Sequence, residues 1–173
     1  MSKQIPNARE TIFAVSRKHL FEKGYMGLTL RQVAAQSGIA VGTIYNYFPG
    51  KDMLIASIMA EDWHVSLKDM KKTCETAITV EQGIRAIYDA IRDYVRKYEP
   101  IWCEYKGMPG GFGQYKALLR SQLSKLLAEL LEHLDHKKDA ELCPLLAETI
   151  LACAMQTDIP YSALSQMIGR LFP

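Results

Sequence analysis

The chain has 173 residues, 49% of them hydrophobic and 23% charged, with four cysteines. These ordinary values for a soluble globular protein exclude a disordered chain, a collagen-like repeat and a disulfide framework. Net charge is +2, yet residues 1–51 hold seven Lys/Arg against two Asp/Glu, while residues 52–173 hold fourteen against seventeen. A basic head on a mildly acidic body points the head at a polyanion.

Helical periodicity runs along the chain and no alternating strand pattern appears, so an all-α fold is expected. A first helix is predicted over Asn7–Lys23, with Ile12, Phe13, Ser16, Leu20 and Phe21 on one face and Gly24 as its stop. Thr29 and Gln32 have capping-box spacing, and Leu28 and Val33 sit as a hydrophobic staple. A short helix therefore starts at Leu30 and ends at Gly38. A second short helix covers Val41–Tyr47 and breaks at Pro49-Gly50. A long helix opens at Lys51-Asp52 and runs to Thr73, with Asp52 suited to the positive end of the helix dipole. Further helices are predicted over Val80–Tyr98, stopped by Pro100, and over Gln114–His136 with a leucine ladder from Leu119 to Leu134. The last two cover Lys138–Gln156 and Tyr161–Leu171. Residues 107–113 form a Gly-rich loop.

Two short helices joined through Ser37-Gly38-Ile39-Ala40 and preceded by a longer one have the layout of a helix-turn-helix. Val33, Ala34, Ile39 and Ile44 supply the apolar contact between them. Val41, Gly42, Thr43 and Asn46 leave the N-terminal end of the second helix small or polar, and Gly42 permits close backbone approach to a partner. On spacing alone, an ordinary helical corner fits as well.

The stretch LTLRQVAAQSGIAVGTIYNYFPGKDML, from Leu28 to Leu54, resembles the signature of the TetR/AcrR family, and Phe13 and Gly24-Tyr25 fit it too. The resemblance covers residues 7–60. It implies a three-helix DNA-binding domain over residues 1–50, followed over residues 51–173 by a helical domain that binds a small molecule and dimerises. Carried over by position, Thr29 and Tyr45 match phosphate-contacting hydroxyls, and Arg31 matches a base or phosphate reader. Val41, Gly42, Thr43, Asn46 and Tyr47 match the recognition surface, and Lys51 matches a phosphate lysine. The chemistry agrees: Lys and hydroxyls suit phosphates, Asn pairs with adenine and Val packs on a thymine methyl. Ala40 stands where the family usually has Ser, which removes an N-cap worth roughly 1 kcal/mol. Val41 replaces a usually polar residue, so base reading there is apolar.

In the body, Met59, Trp63, Tyr88, Trp102, Tyr105, Phe112 and Tyr115 are candidates to line an effector pocket, with ordinary core packing as the alternative. Leu142, Leu146, Ile150, Cys153, Leu164 and Ile168 offer more apolar surface than a terminal helix pair hides, so a twofold seam is expected there. His133 and His136 share a helix face but lack a third ligand, so no metal or cofactor is expected. Cys74, Cys103, Cys143 and Cys153 form no CxxC pair and read as buried, inert thiols. No signal peptide or spanning segment is visible, which points to the cytoplasm. The expected function is a ligand-responsive DNA-binding regulator, most simply a repressor that acts as a homodimer on a pseudo-palindromic operator and is released by a small apolar or aromatic molecule. The rivals are an effector-independent architectural protein and an enzyme on a helical scaffold; no catalytic constellation favours the second.

Overall fold

The computed structural model describes residues 7–104, 111–156 and 158–173, with the side chains of 111–115 set apart. Among these residues there are eight α-helices, one 3-10 helix and no strand. The helices are α1 (Ala8–Gly27), α2 (Leu30–Ser37), α3 (Val41–Tyr47), α4 (Lys51–Glu75), α5 (Val80–Glu104), α6 (Gly111–His133), α7 (Cys143–Met155) and α8 (Tyr161–Leu171). The chain divides into two compact units. The first is Met1–His64 with Glu99–Lys106, and the second is Val65–Tyr98 with Gly107–Pro173.

In the first unit, the regular part of α1 ends at Gly24, which adopts φ 71° and ψ −177°. Ile12, Phe13, Ser16, His19 and Leu20 are buried along one stripe of that helix. Phe21 does not join them: it is 42% exposed. At about 100° per residue it lies opposite Ile12, so His19 fills the stripe instead. The Phe13 and Phe48 rings meet at 5.4 Å and 58°. The Arg17 guanidinium ties α1 to α4 through Glu61 at 2.9 Å and Asp62 at 2.5 Å.

The turn between α2 and α3 is built as its chemistry dictates. Thr29 caps α2 by accepting the Gln32 N–H at 3.3 Å. The Gln32 amide reaches back, but to the Thr29 hydroxyl, which donates to Gln32 Oε1 at 3.1 Å, rather than to a backbone N–H. Leu28 and Val33 are both fully buried, as a staple requires. Gly38 closes α2 at φ 66°, and the Ile39 N–H bonds back to the Ala34 carbonyl at 3.2 Å. Ala40 precedes α3 without a side-chain cap.

In the second unit, Ile84, Ile87, Ile91, Leu123, Leu127, Leu130 and Leu131 form the core with the apolar face of α7. Two ends differ from the sequence expectation. α6 stops at His133 because Asp135 turns left-handed at φ 63° and the His136 N–H bonds to the Leu131 carbonyl at 2.7 Å. This is a Schellman closure with Asp in the place usually held by Gly. Residues Lys137–Leu142 then form a 3-10 helix, and α7 starts at Cys143 because Pro144 suits a first helical turn.

α5 also differs, because Pro100 does not stop it and the helix continues to Glu104. A proline inside a helix costs about 3 kcal/mol. Ile101, buried one residue later, offsets part of that cost by extending the apolar stripe of the helix.

Five of the six residues expected at a seam between subunits lie inside the chain. Leu146, Ile150, Cys153, Leu164 and Ile168 are buried within the chain itself, at 0–6% exposure. Leu142 is half-buried. α7 packs this face against α6 and α8, and its outward side carries Leu145, 66% exposed, with half-buried Thr149 and Ala152. No described helix is long and apolar enough to cross a membrane.

Candidate nucleic-acid interface

α3 rests on one buried residue, Ile44, which has no exposure. At about 100° per residue, Gly42 and Asn46 fall opposite Ile44 and form the outermost ridge of the helix. Tyr45, 50% exposed, flanks that ridge, while half-buried Val41 and Thr43 complete the surface. Tyr47 lies nearer the core side, 45% exposed, with its ring 6.4 Å from that of Phe48.

Gly42 is informative because no protein atom explains it. A Cβ built there meets nothing within 4 Å, and its φ is not in the left-handed range. Glycine inside a helix costs roughly 0.5–1 kcal/mol relative to alanine. Here that cost leaves the most prominent point of the ridge bare.

Thr29 and Arg31 are exposed at the start of α2. The Thr29 hydroxyl is engaged by Gln32 on both of its functions, so it must release Gln32 Oε1 before it can donate to a phosphate.

Lys51 is held more firmly than the sequence suggests. Its Nζ donates to the Tyr25 carbonyl at 3.0 Å and lies 3.8 Å above the centroid of the Tyr25 ring. The Tyr25 hydroxyl in turn donates to Asp52 Oδ1 at 2.8 Å. An ammonium has three donors, so Lys51 keeps others for a phosphate while the ring and carbonyl fix where it points. Tyr25, Asp52 and Glu104, which accepts the Met26 N–H at 2.9 Å, therefore belong to this site although sequence reasoning did not place them in it. The Gly24-Tyr25 pair and the acidic start of α4 were the available signals.

The described candidate pocket residues are divided between the two units. Met59 and Trp63, one turn apart on α4, are buried in the first unit, and Trp102 is half-buried there. Tyr88, buried in the second unit, packs its ring 4.8 Å from Tyr161. Tyr161 is pinned by Glu81, which accepts its hydroxyl at 2.8 Å, and by Arg85, stacked 4.2 Å above its ring. Burial and the Glu81 hydrogen bond push the Tyr161 phenol up. Tyr105, the side chains of Phe112 and Tyr115, and residues 107–110 lie outside the described residues.

The second unit has a groove of about 120 Å³ lined by Lys71, Cys74, Glu75, Leu126, Glu129, Leu130 and His133. None of the seven candidate pocket residues is among its lining. Lys71 and Glu129 pair across it at 2.8 Å. His136 faces Asp139 at 3.5 Å and meets the Phe172 ring edge-on. No cluster of three metal-ligating side chains occurs among the described residues. Cys74, Cys143 and Cys153 are buried, and burial raises all three thiols, Cys74 to about 11. Cys103 departs from the expectation of a buried thiol: it is exposed.

Residues 12–58 match the family model of the bacterial regulatory proteins of the tetR family. Over these residues the chain is similar to the TetR family of bacterial regulatory proteins. Members of this family are DNA-binding regulators rather than enzymes. Solved structures with the same fold span nearly the whole chain. A transcriptional regulator from Streptomyces coelicolor is 18% identical with a TM-score of 0.61, covering 96% of this chain and 99% of its own. A fatty acid degradation regulator from Bacillus halodurans is 20% identical with a TM-score of 0.54, covering 98% and 96%. A regulator of this family from Aquifex aeolicus is 18% identical with a TM-score of 0.55, covering 94% and 96%. No curated protein sequence matches the chain significantly. The fold places the exposed ridge of α3 between the cap of α2 and the Lys51 end of α4.

Proposed function

We propose that this chain is a TetR-family regulator, a ligand-responsive repressor that works in the cytoplasm as a homodimer, one head on each half of a pseudo-palindromic operator. The observation that carries the DNA-reading part is the bare ridge at Gly42, with Asn46 one turn further along it. A glycine with open space above it suits a partner whose backbone or base edges come close. Asn46 offers a bidentate pair for adenine and Tyr45 a hydroxyl for phosphate. Thr29, Arg31 and Lys51 supply the flanking contacts.

The effector is a small apolar or aromatic molecule acting through α4. Met59 and Trp63 lie on the same buried face of the helix that begins with Lys51. Its binding and that of DNA oppose one another, typically by about 1–3 kcal/mol.

Selection of bound sequences from a random DNA pool tests the reading. Wild-type protein is expected to recover a pseudo-palindrome, and Asn46→Ala to relax one position in each half at about 1–3 kcal/mol. An unchanged consensus in the variant removes Asn46 as a base reader. A compound panel scored jointly by Trp63 fluorescence and DNA affinity tests the switch; fluorescence changes that leave DNA affinity untouched argue against it.

A further inference from the structure

The segment Gly24-Tyr25-Met26, where α1 ends, is gripped from two sides. On one side is the start of α4: Lys51 bonds the Tyr25 carbonyl at 3.0 Å and covers its ring, and Asp52 accepts the Tyr25 hydroxyl at 2.8 Å. On the other side is the last residue of α5. Glu104 Oε2 accepts the Met26 N–H at 2.9 Å. The carboxylate also occupies the space beside Gly24, where a Cβ would come within 2.5 Å of Oε1 and 2.8 Å of Oε2. Gly24 holds φ 71°, a conformation that L side chains rarely adopt. The glycine thus meets two needs at once: the left-handed turn and the close approach of a carboxylate.

The geometry points to Glu104 as a positioning residue for DNA binding: it fixes the Gly24–Met26 turn, and through the Tyr25 carbonyl and ring it fixes Lys51. This inference rests on the reading of Lys51 as a phosphate contact. The turn is short, and its hydrogen-bonding groups are divided between the two grips. The Tyr25 carbonyl faces Lys51, with the Leu28 N–H a longer second donor at 3.4 Å, and the next N–H, that of Met26, faces Glu104. Loss of the Glu104 acceptor leaves the Met26 N–H to water and loosens the turn on that side. The platform under the Lys51 ammonium then loses its fixed position. A charge that must be ordered upon binding contributes less than one already in place. Glu104 is exposed and far along the chain from the reading helix, so it would pass unnoticed in a search for DNA contacts.

The test is a double-mutant cycle on DNA affinity with Glu104→Ala and Lys51→Ala, measured across a salt series. We expect Glu104→Ala to weaken binding about threefold or more and to lower the salt slope toward that of Lys51→Ala. The double variant should bind no more weakly than Lys51→Ala alone. Glu104→Gln keeps an acceptor oxygen and should restore most of the affinity and the slope. Glu104→Asp shortens the reach by one methylene and should behave like Glu104→Ala; it carries the cycle if the alanine variant fails to fold. Additive losses, or a weakened variant with the wild-type slope, overturn the proposal and leave Glu104 a stability residue only. If Lys51→Ala itself binds DNA like wild type, the phosphate reading of Lys51 fails first, and the two failures are thereby told apart.

Discussion

The Lys51 ammonium sits 3.8 Å above the Tyr25 ring while donating to the carbonyl of the same residue. One side chain therefore joins the end of α1 to the start of α4 twice over. The two contacts are together worth about 1–2 kcal/mol at a part-buried site. Lys51→Ala is expected to lower the stability of the head by roughly that amount and to weaken binding to all DNA sequences alike, reducing the salt slope by about one. Lys51→Arg keeps the charge and the stacking, so it should recover much of the stability. Thermal melts and a salt series check both halves. A loss confined to one DNA sequence would contradict the phosphate role.

Gly42 supports the opposite pairing of effects. Its helical backbone and the open space around it let alanine enter without strain. Gly42→Ala should therefore raise stability by up to about 1 kcal/mol, read as a higher denaturant midpoint. The added methyl stands on the outermost ridge beside Asn46, where a DNA groove would have to close, so DNA affinity should fall. A variant that is both more stable and undiminished in DNA binding removes Gly42 from the interface.

The helix-turn-helix was legible because its boundaries are set locally. Thr29, Gly38 and Pro49-Gly50 act within a turn of themselves, and α2 begins and ends, and α3 ends, where those residues place them. The last helix was legible for the same reason, with Pro160 at its start. α5 was not, because no local pattern shows that Ile101, just after Pro100, is buried. Asp135 was missed because aspartate tolerates the left-handed conformation without advertising it. The Lys51–Tyr25–Asp52 and Glu104–Met26 contacts join residues 26 to 78 positions apart, beyond the reach of any local pattern.

The apolar stripe of α7 shows how a pattern can be read correctly and its partner missed. Leu146 and Ile150 are apolar on one face as expected, but that face is covered by the chain's own helices. Ile150→Glu should therefore bury an unpaired charge and unfold the second unit, costing several kcal/mol. Leu145→Glu changes an exposed residue and should leave the fold within about 0.5 kcal/mol. If the outward side of α7 forms the seam of the proposed dimer, Leu145→Glu should yield a folded monomer with poor operator affinity. Sedimentation and melting of the two variants separate core from seam. A Leu145→Glu protein that stays dimeric moves the seam elsewhere.

The thiols make a prediction about pH. Burial, aided by Glu129 and Glu75, raises Cys74 to about 11 in the folded protein, against an ordinary value of 9.0. The unfolded chain therefore releases the Cys74 proton first as pH rises, and the unfolded state binds fewer protons between about 9 and 11. Stability must fall across that window and be insensitive to Cys74 below it. Cys74→Ser would bury a hydroxyl, so Cys74→Ala is the better control; it should flatten the alkaline part of the stability curve. The same burial predicts the order of alkylation at pH 8. Exposed Cys103 should react with iodoacetamide in the folded protein, whereas Cys74, Cys143 and Cys153 should react only after denaturation. Peptide mapping after a timed reaction measures this directly. Early labelling of Cys74 would mean that the junction of α4 and α6 opens in the native state.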